Sequence, residues 1–366
     1  MKLIPWSQPD LKIEDRNLLV KSFDSTWISG GHYIQKFEKE FSKFTGVKAA
    51  LSVNNGTSAI NLVYQTLKLK PGDEIIIPGF GYLAAANLAI QYNLKPIFVD
   101  VDINTYCIDV GKIEKKITNK TKLIVIINTY GNVCDLKEII QIGKKYSLPI
   151  LEDSAESLGS TYFKKQSGTF GDFGTYSFQA TKTITTGEGG MVITKNNNKY
   201  LKKMSLIRSH GVDKKRYYHI LPGNNFRLTN LQAAIGYSQL KRIKKIKLIR
   251  KNIFNIYYDT LKENKDISFQ FFNQNIDPLV WTFAIRLNEK KNVNRDKIIK
   301  KMLDNKIETR NGFYSPNYLK IFKKFWSKNL VNSDSLSKYI ICLPFYNNLK
   351  KKEILYISKK LLKIIS

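Results

Sequence analysis

The chain has 366 residues, of which 60 are Lys or Arg and 30 are Asp or Glu, so its formal net charge is +30 at pH 7. Hydrophobic residues make up 43% and charged residues 25%, a composition that excludes a largely disordered chain. No apolar run reaches the ~18–20 residues of a membrane span, and the opening MKLIPWSQPD lacks the apolar core of a signal peptide. We therefore expect a soluble cytoplasmic protein.

The first part of the chain alternates between strand and helix patterns. The predicted elements are a helix at 34–46, a strand and a helix within 47–69, a strand from Glu74, a helix from about Leu83, a strand at 95–102, a helix at 110–118, a strand at 121–131, a helix at 136–147 and a strand at 149–157. This alternation predicts a parallel or mixed α/β sheet covered on both faces.

The pattern changes after about residue 240. Two basic helical stretches flank the apolar segment VWTFAIRL, and YIICLPFYNN precedes a final amphipathic segment from Lys350. We therefore predict two domains, a large α/β domain at 1–240 and a smaller α+β domain at 241–366.

The positive charge is densest at residues 241–252, KRIKKIKLIRKN. Apolar residues recur there at helical spacing, which predicts an amphipathic helix with a solvated basic face. These apolar residues are Ile243, Ile246, Leu248, Ile249 and Ile253. Neither zinc-finger spacing nor an RNP-like aromatic motif is present, so we expect no nucleic-acid partner. Part of the charge instead suits an anionic small substrate.

A metal centre is not indicated either. The three cysteines are far apart in the sequence, and the three histidines lack the spacing of zinc ligands. The candidate chemistry therefore has to come from other residue types.

The first candidate motif is the segment NNGTSA at 54–59, between a predicted strand and a predicted helix. A glycine turn followed by hydroxyl residues at a helix N-terminus offers backbone N–H groups and a positive dipole end, which suit a phosphate. The alternative is an ordinary helix start, with Thr57 or Ser58 as the N-cap.

A second motif, EDSAES at 152–157, places carboxylates at the end of a buried strand. Ligands of α/β sheets bind at this end, and an Asp there can keep a ring nitrogen of a cofactor protonated. The alternative for Asp153 is to cap the following turn.

The third motif surrounds Lys182, which follows Ser177 by five residues and precedes the glycine-rich segment GEGG. A lysine among small and hydroxyl residues can form a Schiff base with an aldehyde cofactor, and Ser177 can offer its hydroxyl to a phosphate. A fourth motif, GNNFRLTNLQAA at 223–234, is by its chemistry a polar turn that enters an alanine-rich helix.

Taken in order, these segments resemble the sugar aminotransferases of the DegT/DnrJ/EryC1/StrS family, which use pyridoxal 5'-phosphate. The motifs NNGTSA, PGFGYLAAAN, PIFVDVD, EDSAES, SF-x3-K-x4-GEGG and NFRLTNLQAAIG stand in the order of the family. Glu156 and the stretch TKTITTGEGGMV resemble the perosamine-synthetase-like branch. Asn128 departs from the pattern, since a histidine is common there.

The resemblance implies an aspartate-aminotransferase-like fold, with a mainly parallel seven-stranded sheet in the large domain and a homodimer that shares its active sites. It also implies a set of residue roles. Lys182 would carry the internal aldimine, Asp153 would hold the pyridine nitrogen, Tyr82 would stack on the ring, Glu156 would lie near the cofactor, Gly56, Thr57 and Ser177 would bind the phosphate, and Asn225 would reach the phosphate of the neighbouring subunit.

The activity implied by the resemblance is ping-pong transamination, with glutamate as amino donor and the keto group of a nucleotide-linked 4-keto-6-deoxy sugar as acceptor. Such a reaction belongs to polysaccharide biosynthesis. Arg310 is a candidate for binding the diphosphate, and a surface role is its alternative. An aminotransferase of the same fold that acts on a different phosphorylated ketone or keto sugar is the alternative function.

Overall fold

The protein is described by a computed structural model that covers residues 2–195, 197–291 and 294–365. Its helices are α1 Ile13–Asp24, α2 His32–Thr45, α3 Gly56–Leu67, α4 Ala84–Gln91, α5 Leu136–Lys145, α6 Lys202–Arg208, α7 Asn230–Leu240, α8 Ile243–Leu261, α9 Arg295–Asp304, α10 Val331–Tyr339 and α11 Lys351–Ile365. Among the described residues, no helix is both long and apolar enough to cross a lipid bilayer.

In the described part of the chain, the strands form three sheets. They are β1 Ala50–Val53, β2 Glu74–Pro78, β3 Lys95–Val99, β4 Thr121–Ile127, β5 Ile150–Asp153, β6 Thr161–Tyr162, β7 Lys165–Gln166, β8 Phe173–Ser177, β9 Gly190–Thr194, β10 Ile267–Phe269, β11 Ile276–Asp277, β12 Phe283–Leu287, β13 Arg310–Asn311 and β14 Ile340–Leu343. Within the described residues, the largest sheet has seven strands in the order β1-β9-β8-β5-β4-β2-β3.

The large sheet is mostly parallel, as the sequence predicted. Only β9 runs antiparallel to its neighbours β1 and β8 within the described part of this sheet. Its central strands are buried on both faces: Ile75 and Ile77 of β2 pack in the same cluster as residues of α3 and α4, whereas Ile76 packs on the other side with residues of α5. The predicted α/β fold class is therefore confirmed.

The chain beyond α7 supplies a second, antiparallel sheet in the order β10-β12-β14-β13. Its core includes residues of α8, α9 and α11, and Ile4 from the start of the chain also packs there and bridges to Ile307. The division of the chain at about residue 240 stays a prediction.

Three details differ from the sequence-based expectations. Residues 110–118 form two short 3-10 turns, Val110–Lys112 and Glu114–Lys116, rather than a helix. The strand expected to run to residue 131 ends at Ile127 and is followed by a 3-10 turn, Thr129–Gly131, in which Tyr130 adopts a left-handed conformation with φ of 58°. In α8, Leu248 is exposed whereas Arg250 is buried, since the buried positions 243, 246, 250 and 253 follow a spacing of three and four residues.

Candidate active site

Strand register brings the predicted phosphate segment and Ser177 together. Gly190, the first residue of β9, pairs with Val53 at the end of β1 and with Ser177 at the end of β8. The turn after β1 therefore lies beside Ser177. A Cβ on Gly190 would lie 2.6 Å from the backbone C and O atoms of Asn55, so only glycine allows this close approach.

The start of α3 forms a concave polar surface. Asn55 is the N-cap, and its Oδ1 accepts a hydrogen bond from Ser58 N at 2.7 Å. The expected alternative, with Thr57 or Ser58 as the cap, is therefore wrong. The N–H groups of Gly56 and Thr57 occupy the first helical positions and have no intrahelical acceptor. A Cβ on Gly56 would lie 3.0 Å from Ser177 Cβ, so glycine also keeps this surface open toward the serine.

Asp153 is the last residue of β5 and is 5% exposed. One carboxylate oxygen accepts a hydrogen bond from Ala155 N at 3.1 Å. This oxygen caps the following turn, as the alternative interpretation expects. Within the described residues, the other oxygen makes no hydrogen bond. Burial raises the pKa of Asp153 to about 6, and the nearby Lys182 ammonium partly offsets this effect. Such a carboxylate favours a cationic partner.

Lys182 lies between a carboxylate and an aromatic ring. Its Nζ is 3.3 Å from Glu156 Oε1 and 3.9 Å from the centroid of the Trp281 ring. The Lys182 side chain is 12% exposed. The second oxygen of Glu156 accepts a hydrogen bond from Tyr130 N at 3.1 Å, and burial raises the pKa of this glutamate.

These residues line one cavity of about 720 Å³. The lining includes most of the sequence-predicted site: Gly56, Thr57, Tyr82, Asp153, Glu156, Ser177 and Lys182. Tyr82 is 62% exposed and forms part of the wall, with its ring centroid 6.1 Å from that of Phe313. The size and the mixture of polar and aromatic walls suit a small-molecule cofactor and a substrate.

Two predicted residues lie outside this cavity. Asn225 is exposed, and its Oδ1 accepts a hydrogen bond from Arg227 Nε at 3.0 Å. Arg310 pairs with Glu308 at 2.5 Å, and its side chain is 58% exposed. Within the described residues of this single chain, neither side chain contributes to the lining.

Sequence reasoning missed two aromatic residues of the wall, Trp281 and Phe313. Trp281 precedes β12 in a segment whose sequence indicates only an apolar strand, and Phe313 follows β13 without any local signal. The sequence does show that Asn128 departs from the family pattern. Asn128 is fully buried, its amide donates to Ser154 Oγ and accepts from Cys134 N, and it does not line the cavity.

The donor set fits pyridoxal phosphate. The glycine-walled surface at α3 and Ser177 suits a phosphate, the buried Asp153 suits a protonated ring nitrogen, and Lys182 provides a primary amine in the same cavity. Together with the fold, this arrangement defines a pyridoxal-phosphate-dependent aminotransferase.

The chain belongs to the DegT/DnrJ/EryC1/StrS aminotransferase family, which it matches over residues 9–362. It is 36% identical to a GDP-perosamine synthase of Escherichia coli O157:H7, over 99% of this chain and 98% of the relative. It is 35% identical to a GDP-perosamine synthase of Caulobacter vibrioides, over 96% of this chain and 95% of that protein. The family resemblance inferred from the motifs is thus confirmed.

Solved structures show the same architecture. PseC of Helicobacter pylori, an aminotransferase involved in the biosynthesis of pseudoaminic acid, superposes with a TM-score of 0.95 and is 28% identical, with 100% of this chain and 99% of PseC covered. The aspartate-aminotransferase-like fold implied by the motifs is therefore confirmed.

Proposed function

We propose that the protein transfers an amino group from glutamate to the keto group of a nucleotide-linked 4-keto-6-deoxy sugar. The observation that carries this proposal is the position of Lys182 Nζ, 3.3 Å from the buried Glu156 and in one cavity with Asp153 and the glycine-walled start of α3. Glutamate as donor rests on the family resemblance alone.

Bound pyridoxal phosphate supplies an aldehyde that bonds to primary amines and a protonated ring that accepts electrons. In our proposal, Lys182 holds the cofactor covalently and, once released, moves a proton to and from the substrate carbon as base and acid. Asp153 holds the ring nitrogen, and Tyr82 covers one face of the ring. Glu156 holds the Lys182 ammonium close to the reacting centre.

The phosphate-binding residues proposed here are Gly56, Thr57 and Ser177, together with Asn225 of a second subunit. Asn225 bridges to Ser209 at the base of a loop that carries three exposed apolar residues: Tyr217, Tyr218 and Ile220. The exposed apolar loop lies beside Asn225, whose side chain does not line the described cavity of its own subunit. Both features support a homodimer in which this loop contacts the neighbouring subunit.

The sugar substrate is proposed from the two relatives that match nearly the whole chain, because their name, GDP-perosamine synthase, states a nucleotide-linked amino sugar as the product. The surplus of lysine and arginine suits the diphosphate of a nucleotide sugar. Arg310 remains a proposed contact, which requires its side chain to turn from Glu308 toward the substrate. The alternative acceptor is a different phosphorylated ketone or keto sugar.

The decisive experiment is the replacement Lys182→Ala. The purified wild-type protein, incubated with pyridoxal phosphate, should turn yellow, bleach with glutamate, and regain the colour with a 4-keto-6-deoxy nucleotide sugar. The variant should show none of these changes and no turnover, because Lys182 is the only lysine among the described residues that line the cavity. Lys195→Ala, at the exposed residue that follows β9, serves as the matched control and should behave like the wild type.

Normal turnover by the Lys182→Ala variant would contradict the proposed role of this lysine. Bleaching by glutamate without recovery with the nucleotide sugar would leave the donor step intact and point to the alternative acceptor.

A further inference from the structure

We propose that Trp281 is a positioning residue that orients the Lys182 amine, and that the buried Arg250 fixes Trp281 in turn. This inference rests on the proposed role of Lys182. It gives a role to Trp281, which lies in the second half of the chain and in no recognisable sequence motif.

The indole of Trp281 makes two separate contacts with the segment that carries Lys182. Its face lies 3.9 Å from Lys182 Nζ, a distance at which a ring attracts an ammonium group. Its Nε1 donates a hydrogen bond to the carbonyl oxygen of Thr181 at 2.7 Å. The ring is therefore tied to the backbone just before Lys182, and the amine is held at a set place relative to its own main chain.

Glu156 limits the amine from another side. Its Oε1 is 3.3 Å from Nζ, and its Oε2 is held by the N–H of Tyr130. The carbonyl oxygen of Tyr130 accepts a hydrogen bond from Trp281 N at 3.2 Å. Tyr130 thus connects both groups that flank the amine, and its left-handed φ of 58° shows that the surrounding contacts hold the backbone there.

Arg250 holds the other side of the Trp281 backbone. This arginine is 4% exposed, and its guanidinium donates to the carbonyl oxygens of Val280 at 3.2 Å and Trp281 at 2.8 Å and to Asn347 Oδ1 at 3.0 Å. No carboxylate forms an ion pair with it within the described residues. Because burying a charge is costly unless it is hydrogen-bonded, the two bonds to consecutive carbonyls indicate that Arg250 fixes the backbone at Val280 and Trp281.

The physical effect is pre-organisation. A free lysine side chain samples many rotamers, and it loses this conformational entropy when the amine reacts. The ring and the carboxylate remove most of them in advance, so the amine faces the cavity when the cofactor aldehyde arrives.

The test compares two rates in Trp281→Leu. In the cofactor-free protein, reductive methylation of Lys182, followed by mass spectrometry of its peptide, measures how accessible the amine is. Rapid mixing with pyridoxal phosphate measures how fast the amine captures the cofactor. We expect methylation to become faster by about threefold or more and capture to become slower by about 3- to 30-fold, because the amine is freer but no longer oriented.

Trp281→Phe keeps an aromatic face and loses only the Nε1–H donor, so both rates should lie between those of wild type and Trp281→Leu. The matched control is Trp6→Phe. Trp6 packs against Trp281 in a T-shaped pair with ring centroids 5.8 Å apart, but within the described part of the chain its own Nε1 has no hydrogen-bond partner. This control should leave both rates unchanged.

Two results would overturn the inference. One is unchanged rates in Trp281→Leu. The other is a rise in both rates, which would show that the ring only shields the amine and does not orient it. If wild-type protein captures no cofactor at all, the proposed function fails. The methylation rates would then still decide whether Trp281 restrains Lys182.

Discussion

Two consecutive carboxylates of β5 show how neighbouring residues acquire different tasks. Glu152 and Asp153 point to opposite faces of the strand, and both are buried. Glu152 accepts hydrogen bonds from the N–H groups of Gly168, Phe170 and Gly171 at 2.5–2.8 Å, and these bonds partly offset the rise in its pKa that burial causes. Asp153 receives one such bond and lines the cavity. The Asp153 carboxylate therefore lowers the free energy of unfolding of the cofactor-free protein, and a cationic ligand can restore it.

This difference predicts that Asp153→Asn stabilises the cofactor-free protein. The folded-state pKa of Asp153, about 6, lies above the usual value of 3.8, so the folded state binds the proton more tightly and the free energy of unfolding falls as pH rises from about 4 to about 6. Asparagine removes this loss and should raise the free energy of unfolding above pH 6 by up to about 3 kcal/mol.

The measurement is the melting temperature of both cofactor-free proteins at about pH 5 and about pH 8. The stabilisation should be larger at the higher pH, while cofactor binding should weaken because the ring nitrogen loses its anionic partner. An equal difference in melting temperature between the two proteins at both pH values would contradict the raised pKa of Asp153.

At the scale of elements, the candidate phosphate site is made where three backbone segments meet: the end of β1, the start of β9 and the end of β8. None of them alone is a site. Gly190 lets the turn before α3 approach β9, and Gly56 lets α3 begin next to Ser177.

We therefore predict that Gly190→Ala reduces cofactor affinity by about tenfold or more and destabilises the protein by roughly 1–3 kcal/mol. The added Cβ would lie 2.6 Å from backbone atoms of Asn55, and backbone cannot turn aside as a flexible side chain can. Cofactor titration and thermal unfolding measure both effects. Gly30→Ala is the matched control, since a Cβ there would have no heavy atom within 4 Å. Similar behaviour of the two variants would contradict the close-approach argument.

The sequence predicts those parts of the site that depend on local pattern. These parts are adjacent in sequence to the elements that place them: the strand-to-helix turn before α3, the carboxylate at the end of β5 and the lysine before GEGG. Trp281 is different: its hydrogen bond to Thr181 spans 100 residues, and no local feature distinguishes it from an ordinary strand aromatic. Arg250 is similar, because a basic residue in a lysine-rich helix gives no sign that it is buried against the carbonyls of Val280 and Trp281.

At the scale of the whole molecule, the cavity is assembled from both halves of the chain. Asp153, Glu156 and Lys182 come from the first 240 residues, whereas Trp281 and Phe313 come from the rest. Motion of the second sheet relative to the first would therefore change the wall that faces Lys182. The hydrogen bonds from Trp281 N to the carbonyl oxygen of Tyr130 and from Trp281 Nε1 to that of Thr181 resist such motion.

The proposed homodimer can be tested by complementation, because it places Asn225 of each subunit in the active site of the other. Lys182→Ala and Asn225→Ala should each have little or no activity as pure proteins. In a randomly mixed population of the two, half of the dimers contain one subunit of each kind. Both lesions of such a dimer fall in one site, so the other site is intact and the mixture should recover about a quarter of wild-type activity. Co-expression with two different tags, followed by tandem purification of mixed dimers, isolates the active species, and analytical ultracentrifugation gives its mass. Mixed dimers that stay inactive would show that Asn225 acts within its own subunit, and full activity of the pure Asn225→Ala protein would show that Asn225 has no role in the site.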